Sequence, residues 1–438
     1  MSKNYFMQTA LPKGSKKLLN AWAFYDWANS VYPLVISSAI FPLYFGFLFP
    51  KDGADLHFLG FDFKATALIS FVTAFAFLVV AIISPILSGI ADFAGNKKRF
   101  MQFFCYLGAL SCIGMYWFTV ENIYFGIACF FFGLIGFWGS IVFYNSYLPD
   151  IAFNEQQDGL SARGYSMGYI GSVVLLLICL YLILSKDGKE ALEMMKLSFA
   201  LTGVWWILFA QYAFYYLPKG NKNADKITKD VLFSGFRELK KVKNELVKHL
   251  SLARYLTAFF VYSMAVQTVM LVATYFGEQE INWANPEDKT QGLIVSILAI
   301  QLVAILGAII TARASKKFGN IKTLIVINAI WAVICIGAYF VVEPIHFYIT
   351  ACFVGLVMGG IQALSRSTYS KFLPETEDTT SYFSFYDVAE KIGIVIGMCI
   401  YGLIDQITGS MRNSIVFLTV FFIVGLLLLF RVPKKNIG

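Results

Sequence analysis

Leu148-Pro149-Asp150 closes one long apolar run, and Leu373-Pro374-Glu375 closes another, with the two prolines 225 positions apart. The same displacement returns on either side. Gly95-Asn96-Lys97 closes an earlier run, and Gly319-Asn320 with Lys322 closes its counterpart 224 positions later. Gly171 and Gly393, in the runs that follow the two Leu-Pro pairs, stand 222 apart. Displacements this close to one another predict a duplicated half. Two such halves in a membrane chain pack as parallel repeats and place a binding site at their interface.

The composition agrees with a membrane chain. Mean hydropathy is +0.66 and charged residues are 14%, against about 25% in an ordinary soluble domain. Twelve long apolar runs are visible: 19–49, 66–91, 100–120, 122–148, 163–184, 197–217, 251–277, 291–313, 321–342, 346–370, 382–405 and 412–431. A helix needs about 20 apolar residues to cross a bilayer core. The fold expected is all-α and integral to the membrane, with six spans in 1–217, a linker at 218–250 and six spans in 251–438.

Basic residues set the expected orientation. Of 35 Lys and Arg, 27 fall on the side of the two termini and 7 on the other side, and Lys391 lies inside a run. Lys and Arg accumulate on cytoplasmic loops, so both termini are expected in the cytoplasm. The net charge of +8 is then a topology signal, and no nucleic-acid partner is expected. The segment 1–18 is polar and basic, and the run after it is too long for a signal-peptide core. All seven cysteines fall inside runs without a C-x-x-C pair, and His57, His249 and His346 are far apart. No metal and no cofactor are expected.

In the linker, Leu232, Leu239, Val242, Leu246 and Leu250 recur at helical steps, with basic residues between Arg237 and Lys248. That pattern predicts a basic amphipathic helix on the cytoplasmic leaflet. Small residues recur in several spans, among them Gly133, Gly136 and Gly139, and Gly164, Gly168 and Gly171, while Gly355, Gly359 and Gly360 would also allow span 10 to bend. This spacing lets helix backbones approach closely in lipid.

Polar groups inside spans are costly and point to function. Asp26, Asn29, Ser30, Pro33 and Ser37 share one stripe of the first span. Ser263, Gln267, Met270 and Thr274 do the same in the seventh, and Gly355, Gly359, Gln362 and Arg366 in the tenth. The fourth carries Phe137, Ser140, Tyr144 and Tyr147, with Trp138 and Asn145 beside them. Four such faces predict a central cavity lined by Asp26, Asn29, Tyr144, Asn145, Gln267, Gln362 and Arg366. The densest charge is Asp387, Glu390 and Lys391 in the eleventh span. Asp387 and Lys391 are one turn apart and can pair. One reading is a structural ion pair. The other is a carboxylate that exchanges a proton as the protein switches, with Asp26, Asp387 and Glu390 as candidates beside Lys391. Arg163 and Arg366, near the inner ends of spans 5 and 10, either anchor at the interface or meet a buried or substrate carboxylate.

The string Gly89-Ile90-Ala91-Asp92-Phe93-Ala94-Gly95-Asn96-Lys97-Lys98-Arg99 resembles the loop between spans 2 and 3 of the major facilitator superfamily. The resemblance implies that Asp92, Lys98 and Arg99 hold the halves together on the cytoplasmic side, in a loop shaped by Gly89 and Gly95. Phe93 stands where a basic residue is usual, and Asn96 replaces another. The mirrored loop, Arg313 to Lys322, keeps the Gly-Asn and the basic charge but has Lys316 in place of the acid. Four further strings narrow the family. They are Trp22-Ala23-Phe24-Tyr25-Asp26-Trp27-Ala28-Asn29-Ser30, Ser161-Ala162-Arg163-Gly164-Tyr165, Gly359-Gly360-Ile361-Gln362-Ala363-Leu364-Ser365-Arg366-Ser367, and Phe385-Tyr386-Asp387-Val388-Ala389-Glu390-Lys391. Together they resemble the vacuole-effluxer-like branch, whose fungal members release amino acids from the vacuole after autophagy.

The expectation is a twelve-helix permease of the major facilitator fold, working by alternating access on a small polar organic solute. An amino acid or short peptide is favoured, with a proton as coupling ion. Short loops suggest a bacterial inner membrane, and the fold needs no partner chain, so a monomer is expected. An exporter or flippase of amphiphilic molecules is the alternative. A membrane-embedded enzyme is disfavoured, because no nucleophile-and-base set, metal spacing or phosphate-cradling loop is present. A sensor is disfavoured by the absence of an added cytoplasmic domain.

Overall fold

The computed structural model describes residues 11–49, 56–58, 60–63, 65–219 and 229–433. The first span is composite: α1 (Lys16–Asn29), a π-helical stretch (Tyr32–Ile40) and α2 (Phe41–Leu48). Pro33 stands in the first turn of the π-helical stretch, where its missing N–H deprives the helix of a rung. Then come α3 (Ala65–Ala94), α4 (Lys97–Gly114), α5 (Ile123–Ile151), α6 (Asn154–Leu184) and α7 (Gly188–Tyr216). The linker helix is α8 (Lys229–Lys248). The second half is α9 (Leu250–Glu280), α10 (Pro286–Phe318), α11 (Asn320–Ala338), α12 (Pro344–Phe372), α13 (Thr379–Thr408) and α14 (Met411–Phe430).

Eleven of the twelve spans are long and apolar enough to cross a membrane by composition alone. The twelfth is α13, which carries Asp387, Glu390, Lys391 and Asp405. A small antiparallel hairpin, Leu56–Phe58 with Phe61–Phe63, joins the first two spans and is the exception to the all-helical expectation among the described residues. Outward faces are apolar: Phe75, Leu78 and Ile82, at steps of three and four on α3, are all more than half exposed. Lipid is the solvent that such a stripe suits. An even number of spans places both chain ends on one face, called here the terminal face; the opposite one is the far face.

Each half has its own apolar core. One core is built from residues 18–217 and the other from residues 242–432, the latter joined by Tyr169. Val242 of α8 is fully buried in the second core. The linker helix therefore turns its apolar side to the protein, against α3, α9 and α13, while Arg237, Lys240, Lys243 and Lys248 are exposed. Of the other apolar positions expected on that side, Leu246 packs against the same core, Leu250 is exposed and begins the next helix, and Leu232 and Leu239 lie outside the residues whose side chains are described. Between the halves the contact is made largely by small and polar groups, such as the cluster Ala162, Ala308 and Ala363. Apolar contacts cross the seam as well: Ile297 and Leu298 of α10 pack against the first core, and Tyr169 of α6 joins the second.

Glycines set the closest helix approaches. A Cβ at Gly307 of α10 would lie 2.7 Å from the carbonyl carbon of Leu356 on α12, and one at Gly359 would lie 2.8 Å from that of Ala304. The duplicated turns behave alike: Gly95 and Gly319 both have positive φ, +61° and +87°, a region that favours glycine.

The duplicated helix starts do not behave alike. By the displacement that relates Gly171 to Gly393, Thr379 at the start of α13 corresponds to Gln157, yet α6 already begins at Asn154. The helix α6 thus has one extra turn at the terminal face. Span 5 starts at Asn154 rather than 163: its first residues, Asn154 and Glu155, are exposed, and further on Asp158 and Ser161 are buried with partners in the other half.

Candidate functional site

Arg366, on α12 of the second half, is 2% exposed, and its hydrogen-bond partners all belong to the first half. Nε donates to Ser161 Oγ at 2.9 Å and Nη2 to the Ser161 carbonyl at 3.0 Å. Nη1 donates to Asn145 Oδ1 at 3.2 Å. Both Nη atoms lie 3.4 Å from Asp26 Oδ2. That carboxyl oxygen accepts a shorter bond from Tyr144 Oη, at 2.7 Å. The guanidinium is also sandwiched by rings, 4.2 Å from the centroid of Tyr165 and 4.8 Å from that of Trp22. Trp22 stacks on Tyr144 and donates from Nε1 to the Tyr144 carbonyl. The backbone makes room for this knot at Gly164, where a Cβ would collide with Asp26 Oδ2 and sit 3.1 Å from both Arg366 Nη2 and Tyr144 Oη.

Four of the expected cavity residues, Asp26, Tyr144, Asn145 and Arg366, therefore meet in one place, as a closed polar knot across the seam. Gln362, one turn before Arg366, accepts from Tyr169 Oη at 2.6 Å, a second bond between the halves. Asn29 is fully buried, and its Nδ2 has no hydrogen-bond partner among the described residues. Arg163 is exposed and donates to Asn20 at 2.6 Å, within its own half.

The charges of α13 form a second cluster. Lys391 pairs with Asp387 on the same helix and lies 3.5 Å from Glu390. Its ammonium sits 4.1 Å from the Trp138 ring centroid, across the seam. Gln267 Nε2 donates to Glu390 Oε1 at 2.7 Å. Asp387 and Lys391 are buried, at 3% and 1% exposure, while Glu390 is only partly buried.

The terminal face is closed by hydrogen bonds. Asp92, at the end of α3, accepts from the backbone N–H groups of Thr380 at 3.2 Å and Ser381 at 2.6 Å. It thereby caps the first turn of α13, where free amides and the helix dipole favour an anion. Lys97 pairs with Asp150 and donates to the Ser146 carbonyl and to Thr379 Oγ1 at 3.0 Å. The expected partner Lys98 acts otherwise. It is buried and donates to the Leu217 carbonyl at 2.7 Å, inside its own half. Arg99 is exposed, Gly89 is buried in α3, and Gly95 makes the turn. Hydrogen bonds join the halves from this face as far in as Gln362.

Several participants were not among the expected site residues: Trp22, Ser161, Tyr165 and Lys97, which stand in the strings quoted above, and Tyr169, Thr380 and Ser381, which do not. Ser161 and Tyr165 flank Gly164 in one of the strings quoted above, which was the available signal. The amides of Thr380 and Ser381 carry no residue-specific signal.

A sequence model of the family described as "Vacuole effluxer Atg22 like" matches residues 14–436. The chain belongs to this family. The "Uncharacterized MFS-type transporter YxiO" of Bacillus subtilis (strain 168) is 28% identical to this Atg22-like chain over 427 residues, covering 95% of each. "Autophagy-related protein 22" of Saccharomyces cerevisiae (strain YJM789) is 24% identical over 436 residues, covering 86% of this chain and 78% of the yeast one. Among solved structures, the E. coli fucose:proton symporter FucP is similar, with a TM-score of 0.68 at 15% identity, covering 96% of this chain and 98% of that one. The Atg22-like chain thus has the twelve-helix fold of the major facilitator superfamily. It is an integral membrane transporter, and its relatives and structural neighbours are transporters, not enzymes.

Proposed function

We propose that this transporter moves a small polar organic solute by alternating access, with an amino acid or short peptide favoured and a proton as coupling ion. The observation that carries the reading is the Arg366–Asp26 contact across the seam. A guanidinium takes a carboxylate through parallel N–H donors. At 3.4 Å, Asp26 holds Arg366 more loosely than Ser161 does. A substrate carboxylate, or a proton on Asp26, competes for that contact and frees the halves.

Other groups support the reading. Glu390, partly buried and accepting from Gln267 Nε2, offers an acceptor for an ammonium group or a proton. Trp138, Tyr165 and Tyr169 offer ring faces to an apolar side chain. Asp26, Asp387 and Glu390 are the coupling carboxylates, with Lys391 as the fixed counter-charge. Low-dielectric surroundings disfavour the charged form of a carboxyl group. Likeness of fold to a fucose:proton symporter accords with proton coupling. The Lys and Arg bias places the terminal face in the cytoplasm, in a bacterial inner membrane, with the chain acting as a monomer. The halves, 1–217 and 251–438, rock about the seam, and 218–250 ties them.

A second reading, export or flipping of an amphiphilic molecule, draws on the same aromatic groups. The test is transport current from the purified protein in liposomes, across amino acids, short peptides, sugars and amphiphiles, with and without a proton gradient. A current evoked by amino acids or peptides and driven by the gradient is expected. Silence across the soluble panel from folded protein, with movement of amphiphiles, overturns the first reading in favour of the second.

A further inference from the structure

The two halves close the terminal face with chemically inverted latches, and we infer that Asp158 is the carboxylate of the second latch. In the first latch the acid sits at the end of a span and the donors sit on a helix start. Asp92 ends α3, and the amides of Thr380 and Ser381 open α13. By the repeat of 224, Lys316 stands where a second Asp92 would be, so the second loop has no acid there. By the repeat of 222, Asp158 stands where Thr380 is. The acid has moved to the other side of the contact.

The donors have moved too. Asp158, on α6, accepts from Ser315 Oγ at 2.9 Å and Asn320 Nδ2 at 2.9 Å, both from the loop region that mirrors Asp92. Lys371, at the end of α12, completes the set at 2.7 Å, with the lysine side chain 8% exposed and the aspartate 3%. Asn320 also holds Thr368 Oγ1 at 2.9 Å, tying the loop to α12. All three of these donors to Asp158 belong to the opposite half.

The extra turn of α6 gives the physical reason. A loop carboxylate can cap α13 because the amides of its first turn have no partner inside the helix. α6 begins at Asn154, so the amide of Asp158 already lies within the helix ladder. An acid at position 316 would meet no free amide there. With the acid on α6, the donors come from Ser315 and Asn320 around the α10–α11 turn and from Lys371 of α12. Asp158 is thus a positioning residue for the transport cycle: it holds the terminal face shut without lining the substrate knot. This role rests on the alternating-access reading above.

Hydrogen–deuterium exchange on the full chain in lipid nanodiscs tests it, comparing Asp158→Asn, Lys371→Gln, Asp158→Glu and Asp92→Asn with the parent. Loss of one member of a buried pair is costly, so exchange in 154–160 and 313–322 should rise by about tenfold in Asp158→Asn and Lys371→Gln. Exchange at the far-face ends, 176–190 and 288–298, should fall, because the opposite side closes as this one opens. Asp158→Glu should stay near the parent. A rise at the terminal face without far-face protection is local loosening and overturns the proposal. If Asp92→Asn shows the reciprocal pattern while both latch variants do not, the role of Asp158 fails and rocking stands. If none of the variants shows it, the rocking reading fails as well. If Asp158→Asn exchanges everywhere through misfolding, Lys371→Gln decides.

Discussion

Arg366 reaches 340 positions back along the chain to Asp26, and both of its terminal nitrogens stop 3.4 Å from one carboxyl oxygen. That oxygen is already bonded to Tyr144, at 2.7 Å. The pair is thus a loose contact inside a tight cage, placed on the seam between the two halves.

Arg366→Lys keeps the charge but loses the planar fork, so it cannot serve Ser161, Asn145 and Asp26 together. Transport should fall by about tenfold or more, since each 1.4 kcal/mol lost is tenfold. Solute counterflow in liposomes checks this. Near-parental transport would show that charge alone suffices.

Asp26→Asn, Asp387→Asn and Glu390→Gln, made separately, test the coupling. At least one should abolish uptake driven by a proton gradient while exchange without a gradient is less affected. Unchanged gradient-driven uptake in all three would sink proton coupling through these groups.

Gly164→Ala adds a methyl that collides with Asp26 Oδ2 and presses on Arg366 and Tyr144. None of the three is a free chain end, because each is held by the knot. The seam should open, costing about 1–3 kcal/mol of the closed state. Exchange of the amides around 161–166 should rise while the cores of each half keep their protection.

Lys391→Met leaves Asp387 buried without its counter-charge. Breaking a buried pair from one side costs about 3–5 kcal/mol, whereas removing both charges is often neutral. The melting temperature should drop in Lys391→Met and return in Lys391→Met with Asp387→Asn. Failure of the double variant to recover would show that Lys391 is held mainly by Trp138.

Gly307→Val pushes against the α12 backbone at Leu356, which cannot swing away as a side chain would. A loss of about 1–3 kcal/mol or more is expected. Thermal unfolding in detergent measures it, and an unchanged midpoint would contradict the close approach of α10 and α12.

Chain order and chemistry alone determined much of this protein. Apolar runs long enough to cross a bilayer fixed the spans, and the repeat of Pro149 at Pro374 exposed the two halves. Asp26, Tyr144, Asn145 and Arg366 were legible because a polar group in a membrane span has few places to go. Their meeting was not legible, since a stripe on one helix does not say which stripe it faces. The seam brought Asp26 and Arg366 into one cage, while packing gave Lys98 to the Leu217 carbonyl, left Lys97 paired with Asp150 in its own half with one bond across to Thr379, and turned Val242 of the linker inward. The capping of α13 by Asp92 uses backbone amides, which every residue but proline carries, so no pattern of side chains could mark it. Spacing reports what one helix can present; only the packing of two halves decides what each presented group meets.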